Sequence, residues 1–302
     1  MNSITRRNFL AQIPLIGLTP SLLSLIAEKK MISRPIPSSG ELMSVIGLGT
    51  WQTFDANQAS MGPLKEVLRT LVDNGASVVD SSPMYGRSEK VVGNLSTELK
   101  INDKLFIATK VWTTGKDEGI HQMKESMSLL QRKKIDLMQI HNLVDWKTHL
   151  RTLQDWKERG MVRYIGITHY VDSSHAALAE VIKNYPIDFV QVNYSIADRN
   201  AEDHLLPLAR EKKVGVLVNR PFEEGALFQR TKGKSLPEWA AEFDCASWGQ
   251  FFLKFILSHP AINCVIPGTG KANHLLDNLG AGYGVLPDQS QRDKMIRYYQ
   301  SL

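Results

Sequence analysis

Three polar residues each close a short apolar run in the first half of the chain, and a tyrosine follows the first of them. Asp80 ends "VVD", Lys110 ends "FIATK" and His141 ends "LMQIH", while Tyr85 lies five residues after Asp80. Taken singly, each has an ordinary explanation: a helix or turn cap, an exposed strand end, and a buried hydrogen-bonded histidine. Three successive apolar runs that end in Asp, Lys and His, beside a tyrosine, together predict one shared site.

The four residues suit the protonation of a carbonyl oxygen. A tyrosine with its usual pKa of about 10 is a reluctant proton donor, and a neighbouring ammonium group would lower that pKa. We expect Lys110 to supply the ammonium, Asp80 to keep it charged and oriented, and a neutral His141 to direct the substrate oxygen toward Tyr85. The set contains no metal-ligand cluster and no nucleophile–base pair. The electrons must therefore come from a hydride-carrying cofactor.

Eight short β-type runs alternate with helical patterns and would bring these residues together. The runs begin near residues 45, 77, 105, 136, 162, 189, 214 and 264, and all intervals but the last measure 25 to 32 residues. Nearly continuous Val, Ile and Leu is typical of parallel strands buried on both faces. The pattern predicts a single-domain α/β fold, the (β/α)8 or TIM barrel, over residues 42–302 with a C-terminal helix. In such a barrel the carboxyl ends of the strands meet at one rim, where active sites are built.

A doubly wound sheet is the alternative, and two glycine-containing segments argue against it. The segment "GLGTW" at 47–51 lacks the third glycine of a dinucleotide-binding turn. The segment "GTGK" at 268–271 is similar to part of a phosphate loop, but Val265 stands where its first glycine would be and Ala272 follows the lysine. We therefore favour the barrel.

Composition narrows the class of protein. The 302 residues are 43% hydrophobic and 22% charged, with a net charge of +5, which is typical of a globular protein. Basic residues are scattered and not interleaved with aromatic ones, which argues against a nucleic-acid partner. The two cysteines, Cys245 and Cys264, do not form a metal motif, and we expect two unpaired buried thiols.

The first residues have a different character. Residues 4–27, "ITRRNFLAQIPLIGLTPSLLSLIA", combine a twin arginine with an apolar stretch without charge and resemble a twin-arginine export signal. Pro14 and Pro20 argue against a stable membrane-spanning helix. We expect residues 1–27 to be the signal, residues 28–41 a linker, and the protein to be exported to the periplasm by the twin-arginine machinery. A clear small-x-small cleavage site is missing, so an uncleaved N-terminal anchor is the alternative.

The chain from about residue 42 to about residue 280 resembles the aldo-keto reductase family. The segments that carry the resemblance, in chain order, are "GLGTW", "VVDSSPMYGRSE", "FIATK", "LMQIH", "IGIT", "FVQVNYS" and "VIPGT". The resemblance implies a (β/α)8 barrel and NADPH-dependent reduction of aldehydes or ketones to alcohols, with NADH as the alternative cofactor. Tyr85 would be the proton donor, supported by Lys110, Asp80 and His141.

The same resemblance implies a set of cofactor and substrate contacts. Thr168 and His169 would hold the nicotinamide carboxamide, with Gln191 beside them. Trp51 and Trp112 would form apolar walls of the substrate pocket, with ordinary core packing as the alternative for each. The implied cofactor-binding positions are Thr168, His169, Gln191, Asn219, Arg220, Phe222, Thr269, Lys271, His274 and Asn278.

The chain also departs from the family's pattern in the cofactor region. Asn219, followed by Arg220, stands where an aromatic residue usually stacks on the nicotinamide, and Phe222 is the candidate replacement. Gly268 and His274 stand where a lysine and an arginine usually grip the 2′-phosphate. Lys271 would then have to bind the 2′-phosphate in their place, as a point charge.

Two functions are consistent with these features. The first is an exported reductase of a small carbonyl substrate, whose cofactor would travel with the folded chain and be regenerated by a redox partner or a second substrate. The alternative is an exported nicotinamide-binding interaction or sensing module with little turnover. The altered position at Asn219 favours the module, whereas the complete set of Tyr85, Lys110 and His141 favours the enzyme.

Overall fold

The computed structural model describes residues 30–57 and 60–302. Its first feature is a short antiparallel hairpin, in which β1 (Ser33–Pro35) pairs with β2 (Leu42–Ser44). The segment expected to be a linker, residues 28–41, thus contributes a strand to this hairpin. The segment that resembles an export signal, residues 1–27, lies outside the described residues.

Eight parallel strands follow, one for each predicted run. Their order in the sheet is the order of the sequence, from β3 to β10. Bridges from Ile46 to Val265 and from Gly49 to Gly268 join the first strand to the last and close the sheet. This confirms the (β/α)8 barrel, since a doubly wound sheet would reverse its strand order midway. The strands are β3 (Leu48–Gly49), β4 (Val78–Asp80), β5 (Phe106–Val111), β6 (Ile135–His141), β7 (Val162–Thr168), β8 (Phe189–Asn193), β9 (Gly215–Asn219) and β10 (Ile262–Val265).

Helices fill the connections between the strands. One helix follows each of β3 to β8, the long connection after β9 holds two, and two more follow β10, the last being the predicted C-terminal helix. The helices are α1 (Met61–Asp73), α2 (Ser88–Glu98), α3 (Lys116–Leu129), α4 (Trp146–Glu158), α5 (His175–Asn184), α6 (Leu205–Glu211), α7 (Ala226–Arg230), α8 (Trp248–Leu257), α9 (Ala272–Gly280) and α10 (Gln289–Ser301).

The pleat of the strands determines which side chains enter the barrel. Along β5, Phe106 and Ala108 belong to the inner apolar cluster, whereas Ile107 and Val111 belong to the core between sheet and helices. Because side chains alternate between the two faces, Lys110 must point inward, above Ala108. Apolar side chains thus fill the lower interior, each contributing about 1.5–3 kcal/mol. The polar residues occupy the next layer toward the carboxyl ends.

Two further features bear on the sequence-based expectations. In the described ranges, no helix is both long and apolar enough to cross a membrane. Cys245 and Cys264 are both buried and free, which confirms the expectation of two unpaired thiols.

Candidate active site

A fully buried ion pair lies at the carboxyl end of the barrel interior. Lys110 Nζ lies 2.6 Å from Asp80 Oδ2 and donates a second hydrogen bond, of 2.8 Å, to the carbonyl oxygen of Ser81. The other oxygen of Asp80 accepts from the side-chain amides of Gln139 at 3.0 Å and Gln191 at 2.8 Å. The carboxylate is therefore held from three sides. Two N–H groups of Lys110 have fixed acceptors, which leaves the third for a neighbouring group.

The charge of Lys110 is retained despite its burial. Burial, the largest single influence, lowers the pKa of the ammonium group, but Asp80 and Tyr85 together outweigh it and raise the pKa above its ordinary value. Lys110 is thus an ammonium at neutral pH, as the sequence predicts.

Tyr85 is half-buried and lies beside this ammonium. Lys110 Nζ is 4.9 Å from the centroid of the phenol ring. The net pKa of Tyr85 is raised, because burial disfavours the phenolate and Asp80 adds to that effect, while Lys110 alone lowers the pKa. Lys110 thus lowers the pKa of Tyr85 as expected, but burial outweighs this effect in the free chain. The phenol stays protonated until a reacting oxygen develops negative charge beside it.

His141 is a buried, uncharged imidazole. Burial, followed by the charges of Lys110 and His169, lowers the pKa of His141 to about 2. Its Nδ1 lies 3.0 Å from Ser82 Oγ, which also accepts the N–H of Met84. When the Ser82 hydroxyl donates to Nδ1, the ring proton is on Nε2, where it can be donated to a substrate oxygen. The imidazole makes an edge contact with Tyr85, at 5.9 Å between ring centroids.

The low pKa of His141 predicts how the rate of carbonyl reduction depends on pH. Because the imidazole is already neutral, kcat/KM should show no ionisation of His141 between about pH 5 and pH 8, where an ordinary histidine titrates. The plots of kcat/KM against pH should have the same shape for the wild type and for His141→Asn, and the values for the variant should be lower. An inflection near pH 6.5 in the wild type that disappears in His141→Asn would contradict the assignment.

Two members of this network were not predicted from the sequence. Gln139 stands two residues before His141 on the same strand, so the pleat directs both side chains into the barrel. That spacing could have identified Gln139. No local pattern indicates the contact of Ser82 with His141, which lies 59 residues away.

The residues expected to hold the carboxamide lie next to this network. Thr168 pairs with His141 and with Gln191 in the sheet register, and its hydroxyl donates to Gln191 Oε1 at 3.3 Å. His169 follows, and its backbone carbonyl accepts from Asn219 Nδ2 at 3.1 Å. The ends of β7, β8 and β9 are thus joined beside Asp80.

The segment after β9 contains Arg220 and Phe222, the second of which is the candidate ring for stacking on the nicotinamide. Arg220 lies over the ring of Tyr170, 5.8 Å from its centroid, and pairs with Glu224 at 3.2 Å. Phe222 packs against Phe228, with 4.9 Å between ring centroids. The ring of Phe222 therefore contacts α7, the helix that follows it in the same connection.

Of the four residues expected at the adenosine phosphate, Thr269, Lys271 and His274 lie at the start of α9, whereas Asn278 lies near its end. Thr269 is buried, and its hydroxyl accepts the N–H of Lys271 at 3.2 Å. Lys271 and His274 are exposed, whereas Asn278 is buried. A helix N-terminus with exposed basic side chains beside it is suited to an anion.

The two tryptophans expected to wall the substrate pocket are both exposed. Trp51 is 43% and Trp112 is 41% accessible, so neither is an ordinary core residue. Trp112 lies beside His141, with 6.4 Å between ring centroids. Apolar surface is therefore available at the mouth of the barrel.

Buried acceptor atoms without donors also collect at this end of the barrel. Four buried side-chain atoms in the described part of the chain have no hydrogen-bond partner: Asn142 Oδ1, Asn219 Oδ1, Glu223 Oε1 and His149 Nδ1. The three oxygens belong to residues that end or follow β6 and β9. An unsatisfied buried acceptor costs free energy, which a ligand's N–H or O–H group would recover. These acceptors are suited to the N–H and O–H groups of a nicotinamide nucleotide. Residues 30–57 and 60–302 hold no cluster of His, Cys, Asp and Glu suited to a metal ion.

Fold and site together define a class of protein: a (β/α)8 barrel whose carboxyl mouth holds a tyrosine beside a buried, charge-compensated lysine and a neutral histidine. The family model described as the aldo/keto reductase family matches residues 45–293. The chain belongs to the aldo/keto reductase family.

Individual relatives are similar at a moderate level. The aldo-keto reductase YhdN of Bacillus subtilis is 26% identical over 226 residues, which is 69% of this chain and 66% of that protein. The NADH-specific methylglyoxal reductase of Escherichia coli is 28% identical over 227 residues, or 64% of this chain and 68% of that one. A crystal structure of an aldo/keto reductase from Klebsiella pneumoniae, in complex with NADP and acetate, matches with a TM-score of 0.74 at 21% identity and covers 90% of this chain and 95% of that chain. This last similarity bears on the fold alone.

Proposed function

We propose that the protein is an NAD(P)H-dependent oxidoreductase that reduces aldehydes or ketones to alcohols, with Tyr85 as the proton donor. The observation that carries the proposal is the position of Lys110 Nζ, 2.6 Å from Asp80 and 4.9 Å from the centre of the Tyr85 ring. Burying two charges is costly even when they are paired, and a well-packed apolar pair would serve stability as well or better. A protein that only bound a nucleotide would gain nothing from a buried ion pair beside a phenol, since burying the two charges costs free energy.

Each residue of the site has a separate role in the reaction. The nicotinamide cofactor, when bound, supplies the hydride. The Nε2–H of His141 holds the substrate oxygen near Tyr85, and the phenol donates its proton as that oxygen gains negative charge. Lys110 then stabilises the phenolate until solvent returns the proton, and Asp80 keeps Lys110 charged. The burial that raises the pKa of free Tyr85 also strengthens its attraction to Lys110 once the phenolate forms.

NADPH is the proposed cofactor, with NADH as the alternative. Thr168 and His169 would hold the nicotinamide, and Thr269, Lys271 and His274 at the start of α9 would receive the adenosine phosphate. The exposed basic side chains of Lys271 and His274 support binding of the extra phosphate of NADPH. The Klebsiella pneumoniae structure was solved with NADP, and the Escherichia coli relative is described as NADH-specific, so relatives of both preferences exist.

The test is to titrate the purified protein with each reduced nucleotide and then add a panel of small aldehydes and ketones. The proposal expects loss of the reduced nicotinamide and formation of alcohol in equal amounts. A protein that binds the nucleotide but turns over none of the substrates would instead be a sensing or interaction module. Failure to bind either nucleotide would overturn both functions.

Export through the twin-arginine machinery is part of the proposal. Its support is the sequence of residues 4–27. In a bacterium with that machinery, we expect the wild type in the periplasmic fraction and the double variant Arg6→Lys, Arg7→Lys in the cytoplasm, because the receptor reads the arginine pair. A periplasmic protein with an ordinary secretory signal serves as the control. Equal distribution of the wild type and the double variant would contradict export by this route.

A further inference from the structure

The backbone of Trp112, next to the catalytic rim, is held by a single glutamine side chain. Trp112 follows directly after β5, beyond Val111, the last residue of that strand to pair with β6. Gln122, on α3, accepts the N–H of Trp112 with Oε1 at 2.6 Å and donates from Nε2 to the carbonyl oxygen of Trp112 at 3.2 Å. The side-chain amide thus pairs with both backbone groups of one residue, as the opposite residue does in an antiparallel pair of strands.

Two further side chains hold the next residues of the same loop. His149 Nε2 donates to the carbonyl oxygen of Thr113 at 2.7 Å, and Asp145 Oδ2 accepts the N–H of Gly115 at 2.8 Å. His149 is fully buried, and its Nδ1 has no partner in the described part of the chain. Among those residues, the only hydrogen bond of the imidazole ring is therefore the one to this loop. Residues 112–115 are thus attached to α3 and to the start of α4.

A glycine allows the histidine to reach the loop. Gly119, on α3, packs against the ring of His149, and a Cβ atom at this position would lie 2.5 Å from Cε1 and 2.7 Å from Nδ1. Such distances are shorter than van der Waals contact, so any larger residue would displace the ring. The contact between His149 and Thr113 therefore depends on the absence of a side chain at Gly119.

These contacts determine where the ring of Trp112 lies. The ring is 41% exposed, and its centroid is 6.4 Å from that of His141, which holds the substrate oxygen in the proposed function. Because so exposed a side chain is not fixed by core packing, its position depends on the backbone that carries it. A ring held in place before the substrate binds adds affinity, since less conformational freedom is lost on binding.

We propose that Gln122 is a positioning residue that sets the substrate preference through Trp112. By holding the backbone of Trp112, it fixes the indole ring as a preformed apolar wall beside His141. Carbonyl compounds that carry a flat apolar group are thereby favoured over those that do not. The inference rests on the proposed function, because it assumes that His141 holds a substrate carbonyl.

The test compares benzaldehyde, whose ring can pack on Trp112, with propanal, which has no ring. Methionine is similar in length to glutamine but can make neither hydrogen bond. In Gln122→Met, kcat/KM for benzaldehyde should fall about 5- to 10-fold more than kcat/KM for propanal, as expected for the loss of one aromatic contact. Most of the change should be in KM, because Gln122 does not act on the reacting atoms. Trp112→Ala should lower the preference for benzaldehyde at least as far.

A double variant distinguishes an action through Trp112 from a general loss of structure. Adding Gln122→Met to Trp112→Ala should change the preference by less than about 2-fold, because the ring that Gln122 positions is already absent. Gln154→Met is the matched control and should keep the wild-type preference. Gln154 is also half-buried and lies on the neighbouring helix α4, but its side chain makes no hydrogen bond to any residue that the structure describes.

Hydrogen exchange at the backbone amide of Trp112 tests the same contact without turnover. The amide should exchange about 10-fold faster in Gln122→Met than in the wild type and at the wild-type rate in Gln154→Met, because only the first variant removes its acceptor. Exchange at the wild-type rate in Gln122→Met, or an equal fall in kcat/KM for both aldehydes, would overturn the inference and leave the proposed function standing. A wild type that reduces neither aldehyde would overturn the proposed function and, with it, the inference. Melting temperatures show whether each variant is folded.

Discussion

Replacing Tyr85 by Phe should lower the rate of carbonyl reduction about 10²- to 10⁴-fold, the usual contribution of a positioned general acid. Phenylalanine keeps the ring that packs against His141 and lies beside Lys110, so the substitution removes the proton donor and little else. The affinity for the nucleotide should change by less than about 2-fold, because the hydroxyl proton is needed only as the alkoxide forms. Steady-state kinetics with an aldehyde and a fluorescence titration with NADPH measure the two quantities.

Tyr164→Phe is a matched control for this experiment. Tyr164 is buried in the inner apolar cluster and hydrogen-bonds to Ser39 and Glu41, each at 2.7 Å. Removing its hydroxyl should cost about 1 kcal/mol of stability and leave the rate unchanged. A Tyr85→Phe variant as active as the wild type, or a Tyr164→Phe variant that loses activity without unfolding, would contradict the role assigned to Tyr85.

Replacing Lys110 by Met should abolish activity and also destabilise the fold by about 3–5 kcal/mol. Methionine matches the length of the lysine stem but leaves the Asp80 carboxylate buried without its cation. Activity is lost because nothing then stabilises the phenolate of Tyr85. Denaturant unfolding gives the stability change, and kcat for an aldehyde gives the catalytic one.

A surface pair supplies the comparison for Lys110→Met. Lys65 and Glu98 are 2.5 Å apart, as close as Lys110 and Asp80, but their side chains are 32% and 60% exposed. Lys65→Met should therefore cost no more than about 1 kcal/mol. The double variant Lys110→Met, Asp80→Asn should recover most of the lost stability and none of the activity. If Lys110→Met were as stable as the wild type, Lys110 and Asp80 could not be a charged buried pair. If Lys110→Met were active, Lys110 could not be needed to stabilise the phenolate of Tyr85.

Much of the fold was predictable because its signals are local and repeated. Eight apolar runs at nearly regular spacing identify eight buried parallel strands, and each run corresponds to one strand of the barrel. The exception is β1, a strand of three residues that ends at Pro35 within a segment without alternating hydrophobicity. Ile36, directly after β1, and Met43 in β2 both belong to the inner apolar cluster, so the position of this hairpin depends on contacts with the barrel.

The residues of the candidate site were predictable where strand geometry alone determines their positions. Asp80 and His141 each end a strand and Lys110 is the last residue but one of β5, and the pleat of a closed barrel then brings them together. Contacts that depend on distant parts of the chain were not predictable, such as Gln191 to Asp80, 111 residues apart. The net rise in the pKa of Tyr85 was not predictable either, because it depends on how deeply the ring is buried between loops whose packing the sequence does not reveal.

The most direct test of the central claim is a single turnover with reduced cofactor that carries deuterium at the transferable position, mixed with one equivalent of enzyme and excess aldehyde. Direct hydride transfer with Tyr85 as the acid predicts an alcohol with one deuterium on the former carbonyl carbon, formed far faster by the wild type than by Tyr85→Phe. A product without deuterium, or a wild type no faster than Tyr85→Phe, would contradict it.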